Sequence, residues 1–171
     1  MITGPINVIG NAKSLFDQNY GELIDLYPTV RINYVDKLVP EKQGTRWDYL
    51  ATSQMSLVSQ YKEKKWHTLI FTRWQTNLQC KDKNALSVPD EVVLSLKEKQ
   101  QKRPSTGSTL LHYFDYLDIE KVNIFGFDWK QTNSFYQDEA TEKRVNTPHD
   151  YTDEKKVCTQ LIEKRGWKLY Q

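Results

Sequence analysis

The chain has 171 residues, with 24 lysines and arginines against 22 aspartates and glutamates, which leaves a formal net charge of only +2. A balance this close does not indicate nucleic-acid binding by bulk charge alone. The length fits one domain over residues 1–171, with a core large enough to fold alone. No stretch reaches the roughly 20 apolar residues that a membrane helix needs, and the N-terminus has no basic and then apolar leader. We therefore expect a soluble, cytoplasmic protein.

Short β-branched or aromatic runs alternate with helix-compatible stretches along the whole chain. The predicted strands are Ile6–Ile9, Val30–Tyr34, Trp47–Ala51, His67–Trp74, Val122–Phe127 and Trp167–Tyr170. The predicted helices are Ser14–Leu26, Ser53–Lys64, Pro89–Lys102, Gly107–Leu117 and Thr152–Arg165. This alternation predicts an α/β, Rossmann-like fold, a mostly parallel sheet flanked by helices on both faces. Residues 77–88 and 131–148 show little periodicity and are predicted to be loops, where binding residues often lie.

The turn after the first predicted strand suits a phosphate or a nucleotide. Gly10 lets the backbone turn and approach a ligand, Asn11 offers a side-chain amide, and Ser14 presents a hydroxyl at a helix N-terminus. The turn has one glycine where a dinucleotide fingerprint has three, and it lacks the Gly-Lys-Ser/Thr triplet of a Walker loop. An ordinary strand-to-helix turn capped by Ser14 is the alternative.

Two further motifs follow the same logic. Asn33 closes the second predicted strand and can both donate and accept hydrogen bonds, which suits a ribose or a sugar. It could equally cap its own strand end. The segment Arg103-Pro104-Ser105-Thr106-Gly107 precedes a helix and forms a cluster of small donors that could grip carboxylate or phosphate oxygens. N-capping is the alternative, although it needs only one of these residues.

Candidate catalytic groups lie after the fifth predicted strand and before the last predicted helix. Lys130, Ser134 and Tyr136 offer a cation and two hydroxyls that could stabilise a leaving phosphate without a metal. Asp128 could make only a local Asx-type contact. His149 precedes the last helix, whose positive partial charge keeps the imidazole neutral and able to act as a general base. A structural or exposed histidine is the alternative.

The other reactive side chains are predicted to be structural. His67 and His112 lie inside apolar patterns and are expected to pack in the core. Cys80 and Cys158 lie far apart in sequence without metal-like spacing, so we expect reduced structural thiols.

Taken together and in this order, the motifs resemble those of the sialyltransferase-like glycosyltransferases, in particular the bacterial single-domain type. Residues 10–14, Gly-Asn-Ala-Lys-Ser, are similar to the family's opening Gly-Asn-Gly-Pro-Ser. Residues 31–33, Arg-Ile-Asn, resemble its Arg-x-Asn, and residues 103–107 match its Arg-x-Thr-Ser-Gly with Thr and Ser exchanged. Residues 126–129, Gly-Phe-Asp-Trp, look like its Gly-Ile-Asp-Phe, and His149 falls where the family has its base.

The resemblance implies an inverting glycosyltransferase that needs no metal or other cofactor and uses a nucleotide-sugar donor, first of all a CMP-sugar. Asn11 and Asn33 would contact the nucleotide or the reacting sugar, and Thr106 would hold the donor. Tyr136 would bind phosphate, and His149 would take the proton from an acceptor hydroxyl. The residues assigned to nucleotide-sugar binding are Gly10, Asn11, Ser14, Asn33, Arg103, Ser105, Thr106, Gly107, Lys130 and Tyr136.

Several positions depart from the family pattern, among them Ala12 and Lys13, which replace its Gly-Pro. Lys130 stands where the family has its other phosphate-binding tyrosine, and Ala51 falls near a family asparagine. We expect a short, divergent, phage-encoded member of the group. The alternative is a non-catalytic nucleotide- or sugar-binding interaction protein on the same scaffold. The acceptor and the oligomeric state are not readable from the sequence.

Overall fold

The structure, a computed structural model, describes residues 2–36, 38–61, 68–77, 79–80, 82, 85–137 and 148–171. Seven strands in this part of the chain form one sheet in the order β5-β4-β3-β2-β1-β6-β7, and every neighbouring pair is parallel. The predicted α/β fold with a parallel sheet is confirmed. The strands are β1 (Ile6–Ile9), β2 (Thr29–Ile32), β3 (Tyr49–Thr52), β4 (Thr68–Phe71), β5 (Leu86–Ser87), β6 (Val122–Phe125) and β7 (Lys168–Tyr170).

Helices connect these strands, and three of the predictions for them agree with the structure to within a few residues. The helices are α1 (Gly21–Asp25), α2 (Pro40–Gln43), α3 (Met55–Tyr61), α4 (Asp90–Lys99), α5 (Thr106–Tyr116) and α6 (Tyr151–Arg165). The agreement holds for α4, α5 and α6. The short elements α2 and β5 were not predicted, because four or two residues carry no readable period. The predicted Ser53–Lys64 helix is described only as far as Tyr61, and His67 lies outside the described residues.

The prediction of one helix over Ser14–Leu26 is wrong. The chain instead forms a short 3₁₀ turn over Lys13–Phe16 and then α1. Gly21 begins α1 where the backbone packs against α2, and a Cβ atom there would lie 1.9 Å from the carbonyl oxygen of Pro40. Tertiary packing therefore fixes the break, since only a glycine permits this approach.

Apolar side chains on both faces of the sheet hold the helices. Val8 and Ile124 are fully buried in the core cluster that includes α4, α5 and α6. Ile9 and Phe125, one residue further along the same strands, pack with Ile24 of α1. Successive strand residues point to opposite faces, so helices cover both faces as predicted. None of the described helices is long and apolar enough to cross a membrane.

The strand order reverses between β1 and β6, which defines a topological switch point. In open α/β sheets, ligands bind in the crevice beyond the carboxyl ends of the strands at such a point. Here those ends carry Gly10 and Gly126, and a Cβ atom at Gly10 would lie 2.3 Å from the carbonyl oxygen of Gly126. Gly10 is thus required by the close approach of two strand ends.

Candidate functional site

A cleft of about 810 Å³ opens at the switch point, beside the carboxyl ends of β1, β2, β3 and β6. Its volume lies in the range of small-molecule sites. All but one of the predicted site residues line it: Gly10, Asn11, Asn33, Arg103, Ser105, Thr106, Gly107, Lys130, Tyr136 and His149. The structure therefore brings together residues from five separate motifs, while their binding roles stay predictions.

Ser14 is the exception and needs a correction. It lies inside the 3₁₀ turn, where its carbonyl oxygen accepts a hydrogen bond from Asp17, and it is not among the cleft-lining residues. The cap residue of this turn is Ala12, which makes no side-chain cap hydrogen bond. Ser14 is thus not the cap of a long helix and does not line this cleft, while its role in binding stays a prediction.

Asn11 joins the ends of neighbouring elements at one wall of the cleft. Its side-chain Nδ2 donates to the carbonyl oxygen of Ile32 at 2.8 Å. Its backbone carbonyl oxygen accepts from the backbone N–H of Phe135 at 2.9 Å. The first contact fixes which end of the amide is Nδ2, so Oδ1 is left as the acceptor end. Tyr136 follows Phe135 and stacks on Tyr34, with ring centroids 4.3 Å apart.

Asn33 is held in an unusual backbone conformation. Its φ is +60°, and its N–H donates to the carbonyl oxygen of Ala51 at 2.9 Å. The side-chain Oδ1 is buried and has no hydrogen-bond partner in the described part of the chain. Oδ1 of Asn33 therefore does not cap the end of the strand. A positive φ is uncommon outside glycine, although asparagine adopts it more readily than most other residues.

Ala51, the position near a family asparagine, lies buried within β3 and does not line the cleft. The next residues of the chain, Ser53 and Gln54, do line it. Polar groups therefore stand at the end of β3, two and three positions later than the motif comparison indicates.

Ser105 serves as the N-cap of α5, as the capping alternative predicts. Its Oγ accepts from the N–H of Ser108 at 3.2 Å and donates to Oε1 of Glu154 at 2.6 Å, while its N–H donates to Oε2 at 2.9 Å. Glu154 is only 4% exposed. Burial raises the pKa of this carboxyl, although the two hydrogen bonds from Ser105 act in the opposite direction. The segment before α5 is thereby bonded to α6.

Arg103 lies against an aromatic ring at the β3 and β4 end of the cleft. Its guanidinium carbon is 4.2 Å from the ring centroid of Trp74, and Nη2 donates to Oγ of Ser53 at 3.4 Å. Nε is buried and has no partner among the residues that the structure describes. Burial lowers the pKa of Arg103, which nevertheless stays a cation.

The loop after β6 is held by local side-chain contacts. Oδ2 of Asp128 accepts from the N–H of Thr132 at 2.7 Å, four residues along the chain, whereas an Asx-type turn contact joins residues two apart. Lys130 has a φ of +60° and donates from Nζ to Oγ of Ser134. Partial burial lowers the pKa of Lys130, while Asp128 acts to raise it. A cation is thus presented on a conformationally strained loop.

His149 is half-buried and lies immediately before α6, whose cap is Asp150. Its Nδ1 lies 2.7 Å from the carbonyl oxygen of Arg103. A carbonyl only accepts hydrogen bonds, so Nδ1 carries the proton and Nε2 is the basic nitrogen of the neutral ring. Burial is the largest influence lowering its pKa, and the charges of Arg103 and Lys130 add to it, although the hydrogen bond acts to raise it. The prediction from sequence explained the neutral imidazole by the positive partial charge at the helix N-terminus instead.

Tyr151 and Glu154 line the cleft but were missed. Burial, followed by the charge of Glu154, raises the pKa of Tyr151 to about 12, so its hydroxyl stays a donor. The ring of Tyr151 lies 5.6 Å from that of His149. The one sequence signal for Tyr151 was its position two residues after the candidate base.

The other histidine and cysteine predictions concern packing. His112 is buried, with Nδ1 3.0 Å from the carbonyl oxygen of Ser108, which confirms a core position. Cys158 is a buried free thiol whose pKa burial raises to about 12, and Cys80 is also free. Among the residues described, no three His, Cys, Asp or Glu side chains come together as metal ligands.

No known family model and no curated protein matches the chain. Solved structures do match it. The sialyltransferase CstII from Campylobacter jejuni, in complex with the substrate analogue cytidine-5'-monophosphate, has a TM-score of 0.63 and 16% identity; the match covers 96% of this chain and 78% of that one. The chain shares the fold of the sialyltransferases.

Two other sialyltransferases support the same statement. The monofunctional α-2,3-sialyltransferase Cst-I from Campylobacter jejuni has a TM-score of 0.67 and 15% identity, over 99% of this chain and 77% of that one. A mammalian sialyltransferase has a TM-score of 0.65 and 16% identity, over 96% and 68%. At identities this low, the structural similarity shows a common fold only. The reaction has to be argued from the site.

Proposed function

We propose that this chain is a glycosyltransferase that moves a sugar from a nucleotide-sugar donor, first of all a CMP-sugar, to an acceptor hydroxyl. The observation that carries the proposal is the half-buried His149 in the cleft, whose Nδ1 is bonded to the Arg103 carbonyl and whose pKa is lowered. A neutral histidine with a defined tautomer is what a general base needs near neutral pH. The sialyltransferase fold, seen in a complex with cytidine monophosphate, supports the donor class.

The proposed reaction is a single inverting displacement. The acceptor oxygen attacks the anomeric carbon while its proton passes to Nε2 of His149. The bond between the anomeric carbon and the phosphate oxygen breaks, and its electron pair leaves with the nucleoside monophosphate. That leaving group carries modest charge, so the Lys130 ammonium and the hydroxyls of Tyr136 and Tyr151, all in the cleft, can stabilise it without a metal.

The alternative is a nucleotide- or sugar-binding protein that has no turnover. The buried Ala51, which cannot make the hydrogen bonds of an asparagine side chain, favours it. Both functions use the same cleft, and the alternative predicts nucleotide binding only if its ligand is a nucleotide. A phage origin and a cytoplasmic location stay predictions under either.

Nucleotide release from matched donors separates the two functions. The protein is incubated with CMP-, UDP- and GDP-sugars, and free nucleotide is quantified with and without simple sugar acceptors. We expect release from the CMP-sugar in preference to the others. Binding of cytidine monophosphate without release from any donor would favour the non-catalytic alternative, and release from only a UDP- or GDP-sugar would reject the CMP-sugar.

A further inference from the structure

A second groove of about 390 Å³ lies where α5 and α6 meet, next to the end of α4. None of the described residues that line it also lines the cleft. Its volume lies in the range of small-molecule sites, and most of the side chains that line it are polar or charged. The groove is therefore a separate candidate site.

His112 of α5 presents an acceptor without a donor to this groove. The residue is only 7% exposed and lines the groove. Its Nδ1 lies 3.0 Å from the carbonyl oxygen of Ser108, so Nδ1 carries the proton of the neutral ring and Nε2 is the acceptor. Nε2 has no hydrogen-bond partner among the residues that the structure describes. A buried acceptor without a donor is unfavourable, so Nε2 suits a ligand that brings a proton.

The surroundings of His112 keep its imidazole neutral. Burial is the largest influence lowering its pKa, and the charge of Lys99 adds to it, whereas the hydrogen bond to Ser108 and the charge of Asp115 act to raise it. At pH 7.5 the ring is therefore neutral, and Nε2 accepts a hydrogen bond.

Three lysines surround the groove. Lys99 lies at the end of α4, and Lys156 and Lys164 lie two helical turns apart on α6. None of the three forms an ion pair with another described residue. The groove thus offers positive charge on two sides of the buried Nε2.

The two carboxylates that line the groove have donors of their own. Oδ1 of Asp115 lies 3.7 Å from Nε of Arg165, and Oδ2 of Asp153 accepts from the N–H of Gln101 at 3.3 Å. The lysines outnumber these carboxylates, so the groove favours an anion.

We propose that this groove binds inorganic phosphate, with a phosphate O–H donating to Nε2 of His112 and the anionic oxygens held by Lys99, Lys156 and Lys164. At neutral pH this ion carries both negative charge and a proton, which are the two things that the groove lacks. Sulfate has the charge without the proton. The proposal does not rest on the proposed function, because it uses no residue of the cleft.

Calorimetric titration with three anions at pH 7.5 tests the proposal. We expect inorganic phosphate to bind about tenfold or more tightly than sulfate, which has no proton for Nε2. Glycerol 3-phosphate distinguishes free phosphate from a phosphomonoester. Its second pKa is about 6, so it mostly lacks the proton and is expected to bind as weakly as sulfate. Equal affinity for all three anions, or binding of none, overturns the proposal.

Two variants assign the binding to the groove. His112→Asn can keep the hydrogen bond to Ser108 but has no Nε2, so it is expected to lose the preference for phosphate over sulfate. Lys156→Gln, at an exposed position where folding is not at risk, is expected to weaken phosphate binding about fivefold. Lys155→Gln is its matched control, because Lys155 is an exposed neighbour on α6 that does not line the groove. Equal weakening in Lys155→Gln and Lys156→Gln overturns the assignment.

A phosphate bound in the cleft is the competing explanation. Lys130→Gln removes a cation from the cleft and is expected to keep the preference for phosphate over sulfate. A preference that is lost in Lys130→Gln and retained in His112→Asn overturns the proposal. Nucleotide release, measured in phosphate-free buffer, is a separate readout of the cleft, so His112→Asn is expected to lose phosphate binding without losing turnover.

Discussion

Nδ1 of His149 lies 2.7 Å from the carbonyl oxygen of Arg103, across 46 residues of sequence. This contact joins the start of α6 to the segment that leads into α5. Glu154, in the first turns of the same helix, holds Ser105 of the same segment. The candidate base and the predicted donor-binding motif therefore form one hydrogen-bonded unit.

His149→Asn should abolish turnover while preserving nucleotide binding. The Asn amide can replace the Nδ1 hydrogen bond to Arg103, but it offers no basic nitrogen in place of Nε2. General-base catalysis contributes about 10²–10⁴-fold to rate. We therefore expect a loss of that size in kcat for nucleotide release, with the calorimetric Kd for cytidine monophosphate changed less than about twofold.

His112→Asn is the matched control for this variant, because His112 makes the same kind of contact, to Ser108, inside the core and away from the cleft. It is expected to lower stability and keep turnover at temperatures where it is folded. Full turnover in His149→Asn would exclude His149 as the base.

The rate should fall at acid pH with an apparent pKa below the ordinary histidine value. The base must be neutral, and the pKa of His149 is lowered from 6.5 by burial and by the charges of Arg103 and Lys130. Lys130→Gln removes one of those charges, so the acid limb of the kcat/KM profile should move to higher pH. An unmoved limb, or one that moves to lower pH, would contradict the assignment.

Glu154→Gln should become more stabilising as pH rises. Burial raises the pKa of Glu154 above the ordinary value of a glutamate, 4.5, so the folded state holds the proton more tightly than the unfolded chain. The stability that this group contributes is complete below the unfolded pKa and is lost as pH rises through the folded value. Gln cannot lose a proton, so the variant should gain about 1.4 kcal/mol over wild type per pH unit in that window.

Urea denaturation at intervals from about pH 4 upward measures this gain. Glu163→Gln, at an exposed position on the same helix, is the matched control and is expected to keep the wild-type pH dependence. If the difference in unfolding free energy between Glu154→Gln and wild type is constant with pH, the raised pKa of Glu154 is contradicted.

Asn33→Gly should raise stability and weaken nucleotide binding. Glycine tolerates a φ of +60° and removes the buried, unpartnered Oδ1. We expect a gain of about 1 kcal/mol in the free energy of unfolding after the extra glycine entropy, and about a fivefold loss of affinity for cytidine monophosphate. Asp118→Gly is the control for placing glycine at a position of positive φ. Asp118 has a φ of +55° and lies outside the cleft. Equal affinity in wild type and Asn33→Gly would remove Asn33 from the binding site.

The fold and most of the cleft were predictable because both follow from local patterns. Apolar runs such as Val122–Phe125 identify the strands, and the carboxyl ends of parallel strands meet at one edge. Asn11, Asn33 and Lys130 follow three such strands, so the sequence pattern is enough to predict that they converge. The breaking of Ser14–Leu26 into two short elements depends on a contact with α2 that no local pattern contains.

Contacts between distant residues were not predictable. The hydrogen bonds between Ser105 and Glu154 join residues 49 positions apart, and Glu154 reads in sequence as an ordinary acidic residue near a helix start. Trp74 likewise gives no sign that its ring supports Arg103. Such pairs arise from the packing of α5 and α6 on the sheet, which periodicity indicates only coarsely.

The melting temperature with and without cytidine monophosphate tests the central claim most directly. At a nucleotide concentration about a hundredfold above Kd, binding stabilises a folded protein by about 2.7 kcal/mol, or about 5 °C or more for a chain of this size. We predict such an upward shift, and one much smaller with uridine or guanosine monophosphate. An unchanged melting temperature with every nucleotide would contradict a nucleotide-sugar site in this cleft.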